Sequence, residues 1–390
     1  MEEIKIKKFF IKDNMCVPFK LLLNRASAYL TANGWQSVNT ADGADVYIVG
    51  GCANFHSLEE ESFEIIKDAK KTKAEVIVFG CLPKVSPEKV GALEPSRVIP
   101  STHWERLESL VENPIVPLSE ITDASEFRLQ EDYRLYDPGK KFVLLQTGCS
   151  SNCPYCPHKL GIGDLNSRPA SEILRQIRDL AKEKVHTITL HGNDAGSYGT
   201  DFGTVTYPEL LQKILEISPN LHLAQLNADW VYEYREVLFP LLLNQKIKEF
   251  QVLIQTVSDR LLRLMERRPV VKALYYYLKF LREKRRDIIF RTDIIIGYPT
   301  STAEEEAETL EYVAELFDEV AVHGFERFSH ARIEKMGLPF YSQGEIDRRA
   351  QNAVRYLTSF PNILVHRGGQ VYQTLVDIEK PKEKMRKERI

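Results

Sequence analysis

Short runs of β-branched and aromatic residues alternate with amphipathic helical stretches along most of the 390-residue chain. This rhythm confines the chain to α/β architecture, because a strand followed by a crossover helix returns to lie parallel to its neighbour. In the N-terminal third the pattern predicts strands over 4–11, 46–49 and 76–79, with helices over 19–32 and 58–71. Each strand runs into a cysteine, in FFIKDNMC, VYIVGGC and VIVFGC. Equivalent ends of parallel strands share one sheet edge, so Cys16, Cys52 and Cys81 are expected to converge although they are far apart in sequence.

Around residues 119–141 the pattern dissolves into the polar, acidic stretch SEITDASEFRLQEDYRLYDPGKK. A second βα series then predicts strands over 142–146, 187–190, 222–226, 250–254, 288–292 and 319–323. Helices are expected over 171–183, 207–217, 231–243, 258–265, 271–284 and 302–316. Six βα repeats are too few to close an eight-stranded barrel, so an open partial (β/α)6 barrel is expected, with its chemistry at the C-terminal strand ends. The organisation read from the chain is an N-terminal parallel-sheet domain over 1–125, a linker over 126–140 and the barrel over 141–345. A C-terminal helix and short tail follow over 346–390, ending in the basic EKPKEKMRKERI, which reads as a solvated segment or a partner-binding arm.

The six cysteines are too sparse for a disulfide framework, and MEEIKIKKFF is charged where a signal peptide would be apolar. No stretch reaches the length of a membrane span, so a cytoplasmic protein without membrane association is expected. In that compartment clustered cysteines mean metal, catalysis or redox chemistry. Three of them lie in LLQTGCSSNCPYCPHKLG, where Cys149-x3-Cys153-x2-Cys156 follows a predicted strand and Gly148 lets the chain turn sharply. Three thiolates on one loop suit a [4Fe–4S] cube with one iron left open. The alternative is zinc, which would need a fourth ligand such as His158.

The C-x3-C-x2-C segment resembles the radical S-adenosylmethionine (SAM) superfamily. Together with Cys16, Cys52 and Cys81 at strand ends, the chain resembles its methylthiotransferase family, which modifies tRNA adenosines or a ribosomal-protein aspartate. NSRPASEIL, LHGNDAGSYG, LIQTVSDRLLRLMERR and RTDIIIGYPTSTAEE resemble successive family motifs, and the likeness runs over roughly residues 4–345. It departs at Gly50-Gly51, where the family has Asn-Thr, and at Met15, where it has Gly. Gly161-Ile162-Gly163 stands in place of Arg-Gly, and FSHARIEKMG in place of an Arg-Pro-Gly-Thr-like stretch. Residues 361–390 leave room for only one or two strands of the small C-terminal β-barrel, the TRAM domain, with which the family grips its substrate.

The resemblance implies two [4Fe–4S] clusters, one on Cys149, Cys153 and Cys156 and an auxiliary one on Cys16, Cys52 and Cys81, with SAM on the open iron of the first. A 5′-deoxyadenosyl radical would take a hydrogen from an unactivated C–H bond, and sulfur would be inserted there, as a methylthio group. Tyr155 would pack by the adenine. Gly192 and Asn193, with Asp194, lie where radical SAM proteins contact the SAM amino group, or they cap a turn. Gln255, Arg291 and Arg168 are polar residues that would meet SAM's ribose and carboxylate or hydrogen-bond within the protein. His323 and His330 could face the substrate, whereas His186, His191 and His222 read as core or loop histidines. A formal net charge of −3 points to a small metabolite or a peptide as substrate more than to tRNA, since phosphate binding draws on clustered Lys and Arg. The alternatives are a tRNA or ribosomal-protein methylthiotransferase, or a sulfurtransferase that does not methylate. An electron donor such as flavodoxin or ferredoxin is the implied redox partner.

Overall fold

The computed structural model describes residues 6–126, 140–368 and 370–372. Most of the predicted linker 126–140 and the basic segment beyond 372 lie outside the described residues. The chain divides into two compact units, Met1–Leu221 with Phe328–Ala331, and His222–Arg327 with Arg332–Ile390.

In the first unit, strands β1 (Lys8–Asp13), β2 (Gln36–Ser37), β3 (Val46–Gly51), β4 (Glu75–Gly80) and β5 (Arg97–Pro100) form a sheet in the order β2-β1-β3-β4-β5. Every neighbouring pair is parallel. Both faces are buried, as parallel sheets require, and the strands therefore read as continuous apolar runs. Ile48, Ile77 and Phe79 pack with Phe9, Phe19 and Leu22 on one side. The alternate residues Tyr47, Val49, Val76 and Val78 pack with Ile65 and Ile66 on the other. Helix Val17–Ala32, started by Pro18 in its first turn, covers the first face, and helix His56–Lys70 covers the second.

The strand ends meet closely. Asn14 N–H donates to Gly50 O at 3.1 Å, and Cys81 N–H donates to Gly51 O at 3.1 Å. A Cβ on Gly50 would stand 2.5 Å from Asp13 Cβ, and one on Gly80, at φ +123°, would stand 2.5 Å from Gly51 O. The expected barrel series begins in the same unit with β6 (Lys140–Leu144), parallel to β9 (Thr187–His191). Between them β7 (Gln146–Thr147) pairs antiparallel with β8 (Asn166–Ser167) and closes a long loop at its neck.

The second unit carries β10 (Asn220–Asn227), β11 (Ile247–Leu253), β12 (Ile289–Ile296), β13 (Glu319–Gly324), β14 (Leu364–Arg367) and β15 (Gln370–Tyr372), hydrogen-bonded in the reverse of that order. The pairs from β11 through β14 are parallel and β15 is antiparallel. On β12 the buried Phe290, Thr292, Ile294 and Ile296 alternate with half-buried Arg291 and Asp293, so one face is apolar and the other polar. The helix expected over 231–243 is two helices, Ala228–Glu233 and Arg235–Leu242, parted at Tyr234. Pro240 then falls in the second turn of a new helix and not deep in a long one. Strand β14 escaped the periodicity, since it is four residues long and has no crossover helix after it.

Gly80→Ala should destabilise the fold by about 2–3 kcal/mol through its left-handed φ and the encounter with Gly51 O. Urea unfolding of the variant checks this, and Gly91→Ala, where a Cβ meets nothing, is the matched control.

Candidate functional site

All six cysteines lie in the first unit and none forms a disulfide. Cys16 follows β1 as the N-cap of helix Val17–Ala32, and its carbonyl accepts from Phe19 N–H and Lys20 N–H. Cys81 caps a short helix after β4, and Cys52 follows β3. Asn14 ties this edge together: its Oδ1 accepts from Cys52 N–H and Ser62 Oγ–H, and its Nδ2 donates to Leu58 O. Burial and then the neighbouring Cys52 push the Cys16 thiol up to about 12, against the lowering pull of the Phe19 N–H and Lys20. Burial, followed by Cys16 and Cys52, raises Cys81 well above its ordinary value. Cys16 thus feels Cys52, and Cys81 feels both, as thiols at neighbouring strand ends would.

The second trio sits on the loop closed by β7 and β8. Gly148, at φ +73°, begins it, and a Cβ there would fall 1.8 Å from Asp164 O. Cys149 N–H reaches Gly163 O at 3.3 Å, and Lys159 Nζ donates to Cys149 O at 2.6 Å, so both ends of the loop are pinned. Burial, then Asp194, then Cys153 and Cys156 push the Cys149 thiol up to about 12. Asp194 Oδ2 lies 3.6 Å from Cys149 Sγ and accepts from Ser150 Oγ–H.

A buried thiol with a raised pKa stays protonated unless a cation arrives to replace the proton, which is the behaviour of an empty metal ligand. Among the described residues no group of three or more His, Cys, Asp or Glu side chains is arranged to grip a single metal ion. A zinc site with 2.3 Å bonds brings its thiolates within roughly 3.8 Å of one another, whereas a cubic cluster takes one thiolate per iron. His158 is a buried imidazole whose pKa falls to about 4 on desolvation, and it does not complete such a site.

The other residues singled out by sequence divide between the units. Tyr155 is half-buried on the cysteine loop. Gly192 is needed for close approach, since a Cβ would stand 2.8 Å from Gln146 Cδ. Asn193 Oδ1 accepts from Gly148 N–H at 3.1 Å, and so braces the start of the loop. Arg168 is engaged by Asp123, Leu144 O and Gln176. His330 belongs to the first unit beside Phe328, which stacks on His56 at 4.3 Å, and burial lowers its pKa.

In the second unit Gln255 takes a left-handed φ of 64° and still bridges β12, with its N–H on Asp293 O and its carbonyl accepting from Ile295 N–H. Arg291 lies between Glu249 at 2.6 Å and Glu319 at 3.0 Å. His222 approaches Glu249 at 3.1 Å and His366 lies 3.5 Å from Glu319, which makes a charged row across five strands. A second row links Gln225, Gln251, Asp293 and His323, with His323 Nε2 3.0 Å from Asp293. Burial opposes ionisation of Asp293, but the hydrogen bond and charge of His323 outweigh it and hold the carboxyl below its ordinary range. Sequence reasoning missed Asn14 and Ser101. Neither stands in a motif, since each takes its role from partners distant in sequence.

The Radical SAM superfamily model matches residues 143–313, and the model of uncharacterized protein family UPF0004 matches residues 23–99. The threonylcarbamoyladenosine tRNA methylthiotransferase of Mus musculus is 29% identical over 73% of this chain and 51% of its own length, so the chain spans about half of that relative. The ribosomal protein uS12 methylthiotransferase RimO of Alkaliphilus oremlandii is 24% identical over 89% of this chain and 81% of its own. Among solved structures, the radical S-adenosylmethionine methyltransferase TsrM from Kitasatospora setae superposes with a TM-score of 0.65 at 12% identity, over 92% of this chain and 91% of that one. That likeness concerns the fold.

Without metal, the raised thiol pKa values mean that the folded state holds protons the unfolded chain would lose. The stability they contribute is present below about 9 and is lost as pH climbs toward about 12. Ultraviolet thiolate titration of the metal-free protein should place Cys16 and Cys149 near pH 12, with Cys→Ser variants assigning each step. Metal loading should weaken as pH falls, because each ligand must surrender its proton.

Proposed function

We propose that the chain is a radical SAM enzyme of methylthiotransferase type that inserts sulfur, as a methylthio group, into an unactivated C–H bond, a reading supported by the two family models it matches and by its likeness to methylthiotransferases. The observation that carries this reading is the pair of cysteine trios in one unit, each with buried and half-buried members. In the proposal Cys149, Cys153 and Cys156 hold one [4Fe–4S] cluster and Cys16, Cys52 and Cys81 hold the other. The N-terminal domain and linker, 1–125 and 126–140, the barrel, 141–345, and the C-terminal segment, 346–390, are the proposed divisions. When bound, the clusters and SAM supply reductive C–H activation and the sulfur to be inserted.

The chain's own residues bind, orient and exclude water. Gly148 and the β7–β8 neck aim the loop, and Asn193 holds its first residue in place. Tyr155, Gly192 and Asn193 are the first unit's residues assigned to SAM. Arg168 acts behind them as a positioning residue, because its guanidinium already ties Asp123 to Leu144 O. Gln255 and Arg291 are the second unit's own candidate ligand contacts; a carboxylate arriving at Arg291 would have to share it with Glu249 and Glu319. His323, held by Asp293, and His330 are the proposed substrate-facing histidines. Electrons would come from a flavodoxin- or ferredoxin-type donor. No helix among the described residues is long and apolar enough to cross a membrane.

For the substrate, the nearly balanced charge of −3 favours a small molecule or peptide. The mouse and RimO relatives favour a second reading, tRNA or a ribosomal protein. Filter binding to bulk tRNA separates the two, since an RNA enzyme should retain tRNA at low salt and lose it steeply between 50 and 200 mM on the order of a thousandfold.

Cys153→Ala should abolish reductive formation of 5′-deoxyadenosine from SAM. Cys52→Ala should retain it and lose sulfur insertion. Iron should fall from about eight to about four per chain in either variant. A Cys153→Ala protein that still cleaves SAM would sink the proposal, and mass spectrometry of the product distinguishes methylthiolation from plain thiolation.

A further inference from the structure

Ser101, the first residue after β5, is 2% exposed and stands where the two thiol-bearing regions touch. Its Oγ donates to Gly161 O at 2.6 Å and lies 3.7 Å from Cys81 Sγ. Gly161 follows Cys156 by five residues in the short helix His158–Ile162, and a Cβ there would stand 2.6 Å from Cys81 Cβ and 3.1 Å from Cys81 Sγ. The charge of Cys156 is also felt at Cys81. One hydroxyl therefore serves a carbonyl of the loop carrying one trio and a sulfur of the other.

We propose that Ser101 is a positioning residue that couples the two metal centres by sharing its single proton between Gly161 O and Cys81 Sγ. The proposal rests on the reading that Cys81 is a cluster ligand. While Cys81 is a thiol, its S–H can donate to Ser101 Oγ, and Ser101 donates to Gly161 O, so every group is satisfied. As a metal-bound thiolate Cys81 only accepts, and two acceptors then compete for one O–H. A hydrogen bond to an anionic sulfur is charge-assisted and gains strength as the cluster gains an electron. Turning toward sulfur leaves the Gly161 carbonyl without this partner in a dry place, which costs free energy. Reduction of the Cys81 centre is thereby linked to the conformation of the loop that holds Cys149, Cys153 and Cys156. Hydrogen bonds to ligand sulfur are among the levers that set a cluster's potential, and this one stabilises the reduced form.

The test is a redox titration, followed by electron paramagnetic resonance, of the full chain loaded with both clusters, comparing wild type, Ser101→Ala and Ser101→Thr. With iron content unchanged, Ser101→Ala should shift the midpoint of the Cys81-held cluster to more negative potential, and Ser101→Thr, which keeps the hydroxyl, should restore it. Coincident titrations of wild type and Ser101→Ala at full iron content overturn the proposal. If Ser101→Ala fails to load, Ser101→Cys decides in the same way, because it keeps a side chain with a weaker donor and should give an intermediate potential; a wild-type midpoint there overturns the proposal. Cys81→Ala separates the two layers of inference: unchanged iron content and spectrum in that variant would overturn the ligand assignment itself.

Discussion

The structure depends on a backbone contact. Gly51 O accepts the N–H of Cys81 and leaves no room for a side chain on Gly80, while Gly50 leaves none between itself and Asp13. Three parallel strands can therefore finish level and in contact, and the residue that follows each is carried to the same edge. Burial of the three thiols, their mutual electrostatic influence and their reluctance to ionise all descend from that approach. The loop of the second trio is held by different means, a two-residue antiparallel neck and a lysine that reaches across from Lys159 to Cys149 O.

The two units handle polarity in opposite ways. The first sheet is apolar on both faces and confines its chemistry to an edge. The sheet of the second unit keeps one polar face, on which basic-type and acidic side chains, His222, Glu249, Arg291, Glu319 and His366, alternate from strand to strand. Removing one member of such a row strands its neighbours, because a half-buried carboxylate that loses its cation keeps its desolvation cost. Glu319 illustrates the balance: burial works against its charge, and His366 and Arg291 together still hold it below the ordinary carboxylate range.

The amphipathic periods were enough to find the parallel strands of the first sheet that carry cysteines, because both-sided burial writes itself as unbroken apolar runs such as VYIV and VIVF. Convergence of Cys16, Cys52 and Cys81 followed from topology alone. Strands β2 and β14 were invisible, being two and four residues long, too short for a period to repeat. The roles of single polar residues were less legible. Asn193 and Arg168 read equally well as ligand contacts or as local braces, and the structure shows the bracing bonds they make. Ser101 carried no sequence signal, since its meaning comes from a carbonyl sixty residues away.

The side chain of Asn14 joins Cys52 N–H, Ser62 and Leu58. Gly50 leaves no room for a side chain that could share this duty, since a Cβ there would meet Asp13 Cβ at 2.5 Å. The support of Cys52 therefore rests on one amide, and a chain that lost Asn14 would leave Cys52 N–H unserved with no substitute at position 50.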